Sequence, residues 1–152
     1  MRKRIWLGTL LLIVLLVLAA CGTGNGEEAG EDESSGDQIK AEIEPMIEQL
    51  DDDTYRYTVA NKTKEAVTFS FTSGQRFDFS LENEGGEQVF LFSSVSSFIQ
   101  ALGEETVEPG EELKYEFDIP PLDLEAGTYK LEAWLTPEEG PAYPAETEYT
   151  AE

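Results

Sequence analysis

The feature that most constrains the fold of this chain is a repeated alternation of apolar and polar residues. It occurs in five short segments, at 55–60, 67–72, 77–82, 112–119 and 129–135. A period of two places successive side chains on opposite faces of a strand. Each segment therefore predicts a strand with one buried face and one solvated face, as in antiparallel sheets.

Three further segments carry weaker strand signals. Residues 39–48 contain Pro45, which would confine that strand to a sheet edge or a bulge. Residues 89–92 are apolar throughout, which predicts a strand buried on both sides. Residues 145–150 predict a last edge strand.

One segment departs from the period of two. Val95, Phe98, Ile99 and Leu102 follow the i, i+3, i+4, i+7 spacing of a helix. A serine at 93 or 94 is a suitable cap, and Gly103 is a suitable end. We predict one short helix here, packed across an end of the sheets.

Turn signals separate the predicted strands. Hairpin turns are expected at 61–64 and 84–86, and further turns at 109–110 and 125–127. Seven or eight short strands with regular turns predict an all-β, immunoglobulin-like antiparallel β-sandwich with one short helix. The run Glu125-Ala126-Gly127-Thr128-Tyr129 approximates a tyrosine corner. Leu131 stands where an antibody domain has its second cysteine, so a core leucine replaces the disulfide.

The first 21 residues have a different character. Arg2, Lys3 and Arg4 precede an apolar run of about 16 residues, shorter than the roughly 20 that a spanning helix needs. The run ends in Leu-Ala-Ala followed by Cys21, which resembles the bacterial lipoprotein signal. That resemblance implies a signal peptide at 1–20, and lipid attached at Cys21 as an anchor at the extracytoplasmic face of the cell membrane of a Gram-positive bacterium. A signal anchor with an unmodified cysteine is the alternative.

Residues 21–37 join this signal to the predicted domain. After Cys21 they read GTGNGEEAGEDESSGD, with many glycines and acids and no large apolar side chain. Such a segment cannot bury enough surface to fold, so we expect a disordered acidic tether. The folded domain then occupies 38–152, a length that suits one hydrophobic core.

Composition narrows the range of functions. The formal net charge is −22, which opposes binding to nucleic acid. The chain has no histidine, and its single cysteine is assigned to lipid, so the common nucleophile–base pairs are absent. We expect no catalysis, no cofactor and no bound metal. Calcium at Asp51-Asp52-Asp53 is the alternative considered, although Arg56 occupies the place of the glycine of an EF-hand loop.

The central block resembles the BsuPI family, named for an intracellular proteinase inhibitor of Bacillus. The resemblance rests on Asn61, on the run FSFTSGQRFDF at 69–79, and on Pro109-Gly110-Glu111, Tyr115 and Gly127-Thr128-Tyr129. It also includes Gly86, Val89, Ser93, Phe98, Gln100 and Leu102. The order and spacing match over about 55–136. The chain departs at Phe92 and Ile119, where family members often carry tryptophan.

The resemblance implies a non-catalytic protein-binding domain and a protease as its partner. We expect the partner to be a subtilisin-type serine protease at the cell surface, because an exported chain does not meet an intracellular target. The predicted recognition surface comprises Ser73, Gly74, Gln75, Phe98, Gln100 and Tyr143. Two loops are candidates for protease contact, at 103–110 and at 137–144. An envelope-associated structural module without a protease target is the alternative, and a calcium- or wall-binding domain is a more distant one.

Overall fold

A computed structural model describes residues 42–152 of the chain. The predicted signal peptide, the predicted lipid attachment site at Cys21 and the predicted acidic tether lie outside the described residues. Within residues 42–152, no helix combines the length and hydropathy that crossing a membrane would require.

The described chain forms nine strands and one four-residue helix. In chain order these are β1 (Ile43–Gln49), β2 (Thr54–Asn61), β3 (Val67–Phe71), β4 (Phe77–Glu82), β5 (Gln88–Leu91), α1 (Phe92–Val95), β6 (Gly103–Val107), β7 (Glu112–Asp118), β8 (Gly127–Leu135) and β9 (Ala142–Ala151). The all-β prediction is confirmed, with nine strands in place of seven or eight.

The strands form two main sheets and a two-stranded ribbon. The sheets have the orders β1-β2-β7 and β5-β4-β8-β9, and β3 pairs with β6. Every pairing is antiparallel. The two main orders correspond to the A-B-E and C′-C-F-G arrangement of immunoglobulin-like sandwiches. Pro45 lies in the edge strand β1, as its missing N–H group requires.

Aromatic side chains fill the space between the two sheets. Phe79 of β4 and Phe117 of β7 stack with ring centroids 4.3 Å apart, and Phe77 lies 5.1 Å from Tyr115. These residues occupy the apolar positions of the alternating segments. The period of two therefore predicted which side chains build the core.

The predicted tyrosine corner is present at the start of β8. The Tyr129 hydroxyl donates to the backbone carbonyl of Glu125 at 2.9 Å. Leu131, two residues further along, is completely buried in the core. A leucine in this position packs where an antibody domain has its disulfide, which fits a chain with one cysteine.

The segment predicted as a helix over 93–103 is different in the structure. The helix is a single turn, and Ser96 has extended backbone angles (φ −111°, ψ 155°). One turn has no stability of its own, and the apolar side chains that would have fixed a longer helix by packing remain exposed. The chain then enters β6, a strand that the sequence analysis expected to be a loop over 103–110.

Two further expectations were wrong. Residues 61–64 do not form a hairpin turn, because β2 and β3 belong to different sheets. Buried Asn61 instead organises the connection with its side-chain amide. Within the apolar segment 89–92, residues 89–91 belong to the edge strand β5 and Phe92 begins α1. The strand is not buried on both sides, and Val89 is 39% exposed.

Candidate recognition surface

The loop at 73–75 lies beside residues 93–103, which we call the anchored segment. The Gly74 amide donates to the Ile99 carbonyl at 2.8 Å. A Cβ atom on Gly74 would lie only 3.0 Å from Cγ1 of Ile99, so a larger residue would push the two chains apart. Glycine at 74 is therefore explained by close approach to the anchored segment.

Asp78 holds the beginning of the anchored segment. One oxygen of its buried carboxylate accepts from the amide of Phe79 at 2.9 Å and from the amide of Ser93 at 3.0 Å. The alternation pattern predicted Asp78 on the solvated face of β4. The structure buries it because the backbone at the start of the segment supplies the donor that the carboxylate needs.

Arg76 holds the chain where the anchored segment passes into β6. Its Nε donates to Glu105 of β6 at 2.8 Å, and its Nη1 donates to the Ser73 carbonyl at 2.6 Å. The guanidinium also covers the ring of Phe71, 4.6 Å from the centroid. A Cβ atom on Gly103 would lie 2.5 Å from Nη2 of Arg76, so glycine there leaves room for the guanidinium.

Tyr115 extends this cluster into the sandwich. Its hydroxyl donates to the second oxygen of Glu105 at 2.7 Å. Burial, and then the hydrogen bond to Glu105, raise the pKa of Tyr115 well above its usual range. Tyr115 therefore stays protonated and keeps donating, and Glu105 is held by both a guanidinium and a phenol.

The anchored segment presents apolar side chains to solvent. Val95 is 69% exposed, Ile99 is 74% exposed and Leu102 is 87% exposed. Single exposed apolar residues are common, but three within eight residues, on backbone that is hydrogen-bonded to the body of the domain, form a surface suited to a protein partner. An extended, anchored apolar segment can bind such a partner with little loss of conformational entropy.

The structure brings together most of the predicted site residues. Ser73, Gly74 and Gln75 form the loop, with the Ser73 hydroxyl accepting from the Gln75 amide at 3.2 Å. Phe98 is half-buried, with its ring 5.8 Å from that of Phe92, and Gln100 is exposed. The side-chain amide of Gln75 donates to the Phe77 carbonyl at 3.3 Å, which gives it a structural role within the loop.

Tyr143 lies apart from this group, at the start of β9. Its ring packs edge-on against Phe69 at 5.6 Å, and its carbonyl accepts from the hydroxyl of Tyr57. Its φ of 55° is in the left-handed region, which these contacts maintain. Half-buried in this way, Tyr143 is not an exposed contact residue of the 137–144 loop.

The aspartates considered for calcium lie in the exposed turn between β1 and β2. Over residues 42–152, no group of three or more acidic side chains is arranged to hold a metal ion.

Sequence analysis did not include Arg76, Asp78, Glu105, Val95 or Ile99 in the predicted recognition surface. The sequence signal that could have identified Arg76 and Asp78 was the motif at 73–78, in which these two residues flank Phe77. Val95 and Ile99 were assigned to a helix face because their spacing fits one. Glu105 gave no signal, because one glutamate among 32 acidic residues is not distinctive.

Two of the solved structures that match this chain are distant likenesses. Bacteroides uniformis beta-glucuronidase 2, covalently bound to cyclophellitol-6-carboxylate aziridine, is 11% identical, with 70% of this chain and 13% of that one covered and a TM-score of 0.39. The alkylpurine DNA glycosylase AlkC of Pseudomonas fluorescens, bound to DNA with an abasic site analog, is 11% identical to this chain. The match covers 72% of this chain and 31% of that one, with a TM-score of 0.35. The chain spans less than a third of either structure's length.

Comparison with curated proteins finds no match. Comparison with protein families finds the model of BsuPI, described as an intracellular proteinase inhibitor, which matches residues 42–140. The match contains the motif at 73–78, the anchored segment and the strands that carry them, and it extends beyond the resemblance seen in the sequence alone. The chain therefore belongs to the BsuPI family of proteinase inhibitors.

Proposed function

We propose that this chain inhibits a subtilisin-type serine protease at the outer face of the cell membrane, and that the anchored segment contacts the protease. Membership of a proteinase inhibitor family supports a protease as the partner. The observation that supports the anchored segment is the exposure of Val95, Ile99 and Leu102 on backbone fixed by Asp78, Gly74 and Arg76.

A segment bound in a protease cleft inhibits the enzyme when it is rigid, and it is cleaved when it is flexible. A protease cleft binds an extended segment and accepts apolar side chains in its pockets. A segment that is held at its beginning, middle and end loses little entropy on binding and resists the distortion that cleavage needs. The loop at 73–75 contributes by holding Ile99 through the hydrogen bond from the Gly74 amide to the Ile99 carbonyl.

The experiment is a titration of the full chain, purified in detergent, against several subtilisin-type proteases. We expect a saturable loss of protease activity with one protease, while the chain stays intact on a gel. Slow cleavage of the chain without saturable inhibition of any protease would contradict the proposal, and would favour an envelope-associated module.

We also propose that Cys21 carries the lipid that holds the domain at the membrane. Two or more acyl chains anchor a protein stably, whereas one holds it only marginally. Replacement of Cys21 by serine should move the protein from the membrane fraction to the medium, or leave it unprocessed at the size of the precursor. The protein in each fraction can be measured by immunoblot and mass spectrometry. Unchanged membrane retention and unchanged size of the Cys21→Ser variant would contradict the proposal.

A further inference from the structure

The three exposed apolar residues of the anchored segment differ in their backbone. Val95 is the last residue of the helical turn α1, and helical backbone does not fit a cleft that binds extended chain. The carbonyl of Ile99 already accepts from the Gly74 amide at 2.8 Å. Leu102 is the most exposed of the three, at 87%, and it lies directly before β6. Leu102 is therefore the best placed of the three to meet the residues that cleave a peptide bond.

The backbone of Leu102 faces the open edge of β6. Within residues 42–152, β6 pairs with β3 alone, so its other edge is free. The Ser70 carbonyl accepts from the Glu138 amide at 2.8 Å, which shows that the backbone groups of Ser70 point away from β6. Ser70 lies opposite Glu104, and backbone direction alternates along an antiparallel pair. The backbone groups of Glu104 therefore point to the open edge, and those of Leu102, two residues earlier, continue this direction.

This open edge is suited to pair with the cleft of a protease. An extended chain can bind as an added strand, through main-chain hydrogen bonds made by alternate residues. Leu102 and Glu104 supply such groups before and after the peptide bond that joins Leu102 to Gly103. The exposed Leu102 side chain can then enter the pocket that receives the residue before the cleaved bond.

The chain after Leu102 is held in place. Gly103 pairs with Phe71 at the start of β6. A Cβ atom on Gly103 would lie 2.5 Å from Nη2 of Arg76, so the guanidinium lies against this residue. The same guanidinium pairs with Glu105 at 2.8 Å. A break of the bond before Gly103 would therefore leave the new amino group where it was formed.

We propose that Leu102 fills the primary specificity pocket of the protease, and that the peptide bond from Leu102 to Gly103 is the bond presented for cleavage. This assignment rests on the proposed function and adds the class of target, a subtilisin-type protease that cleaves after large apolar residues. The serine oxygen of the protease adds to the Leu102 carbonyl carbon, the bond to the Gly103 nitrogen breaks, and the serine proton passes to that nitrogen. Because the amine stays in place, it attacks the ester carbonyl, the peptide bond forms again and the proton returns to the serine. The protease therefore stays occupied by an intact chain.

Inhibition constants of single variants test the role of Leu102. Leu102→Ala should weaken inhibition by about 100-fold or more against the protease that the intact chain inhibits. Ile99→Ala is the matched control, because it shortens an exposed side chain of the same size, and it should weaken inhibition by less than about tenfold. Leu102→Lys should lose this inhibition and should inhibit a subtilisin-type protease that cleaves after basic residues, whereas Ile99→Lys should not. Unchanged melting temperatures show that the variants are folded.

The results separate this assignment from the proposed function. If the intact chain inhibits no protease, both are wrong. If the intact chain inhibits a protease and Leu102→Ala inhibits it equally well, or Ile99→Ala loses as much inhibition as Leu102→Ala, only the assignment of Leu102 is overturned.

The site of cleavage tests the peptide bond. Arg76→Ala loosens the chain after Leu102, so we expect the protease to cleave this variant, and mass spectrometry should find the cut between Leu102 and Gly103. Arg56→Ala, which removes an arginine of β2 and its exposed ion pairs, should stay intact. A cut at another bond of folded Arg76→Ala, or an Arg76→Ala variant that stays intact, would overturn the proposal.

Discussion

Asn61 is a polar residue on which several connections of the sandwich depend. It is fully buried, and its side-chain nitrogen donates to the carbonyls of Glu65 and Val107 at 2.9 and 2.8 Å. Its side-chain oxygen accepts from the Thr63 amide at 2.9 Å. One amide therefore joins the end of β2 to the following turn and to the end of β6.

Replacement of Asn61 by alanine should lower the free energy of unfolding by about 2–4 kcal/mol, because it leaves buried backbone groups without partners. Urea unfolding measures the change. Asn83→Ala is the matched control, since Asn83 makes similar bonds to Gly85 and Glu87 in an exposed hairpin and should lose about 1 kcal/mol or less. Equal losses in the two variants would show that burial of Asn61 is unimportant.

At the scale of elements, the motif at 73–78 explains how an irregular segment keeps one conformation. From one stretch of chain, Asp78 and Gly74 reach the beginning and the middle of the anchored segment, and Arg76 reaches Glu105 just beyond its end. The segment has almost no regular secondary structure of its own. Its order therefore depends on contacts such as these, and loss of one should loosen the surface that we assign to the protease.

Arg76→Ala removes the ion pair with Glu105, the hydrogen bond to Ser73 and the contact with Phe71. We expect a loss of about 1–3 kcal/mol in the free energy of unfolding, because both charged side chains are mostly buried. Hydrogen exchange at the Gly74 amide should also become faster.

Arg56→Ala is the control for Arg76, because Arg56 pairs with Glu48 and Glu116, whose side chains are about 60% exposed. Solvent screens such pairs, so the loss should be clearly smaller than for Arg76→Ala. Unchanged exchange at Gly74 in Arg76→Ala would show that the loop is held without the arginine.

The elements that the sequence predicted well are those whose signal is local. Segments such as 55–60 and 129–135 carry a period of two, and all five became strands. The predicted short helix is present at Phe92–Val95, but its extension to 103 was wrong, because the spacing says nothing about whether a neighbour covers the apolar face. β6 was missed because Gly-Glu-Glu-Thr-Val has little strand character, and its pairing with β3 supplies the order. Contacts between distant residues, such as Arg76 with Glu105, cannot be obtained from local patterns.

At the scale of the whole molecule, buried phenols couple stability to alkaline pH. Burial is the main cause that raises the pKa of Tyr57 and of Tyr115 above the ordinary value of 10.0. The unfolded chain therefore loses these protons at a lower pH than the folded chain. Their contribution to stability is complete below about pH 10 and is lost as the pH rises above it.

The free energy of unfolding, measured by urea titration between about pH 8 and pH 11, should fall with rising pH. The fall should be about 1.4 kcal/mol per pH unit for each such tyrosine once the unfolded chain ionises. Tyr115→Phe should make this fall shallower, because one titrating group is removed. A stability that is constant or rises over this range would contradict the assignment of these phenols as buried and protonated.

The most direct test of the central claim compares inhibition constants of charge-matched variants against the protease that the intact chain inhibits. The double variant Ile99→Glu and Leu102→Glu should weaken inhibition by about 100-fold or more without changing the melting temperature. The double variant Met46→Glu and Val89→Glu places the same two charges on the exposed edge strands β1 and β5 and should leave inhibition unchanged. Full inhibition by the Ile99→Glu and Leu102→Glu variant, or an equal loss with the Met46→Glu and Val89→Glu variant, would contradict the assignment of the anchored segment as the protease-binding surface.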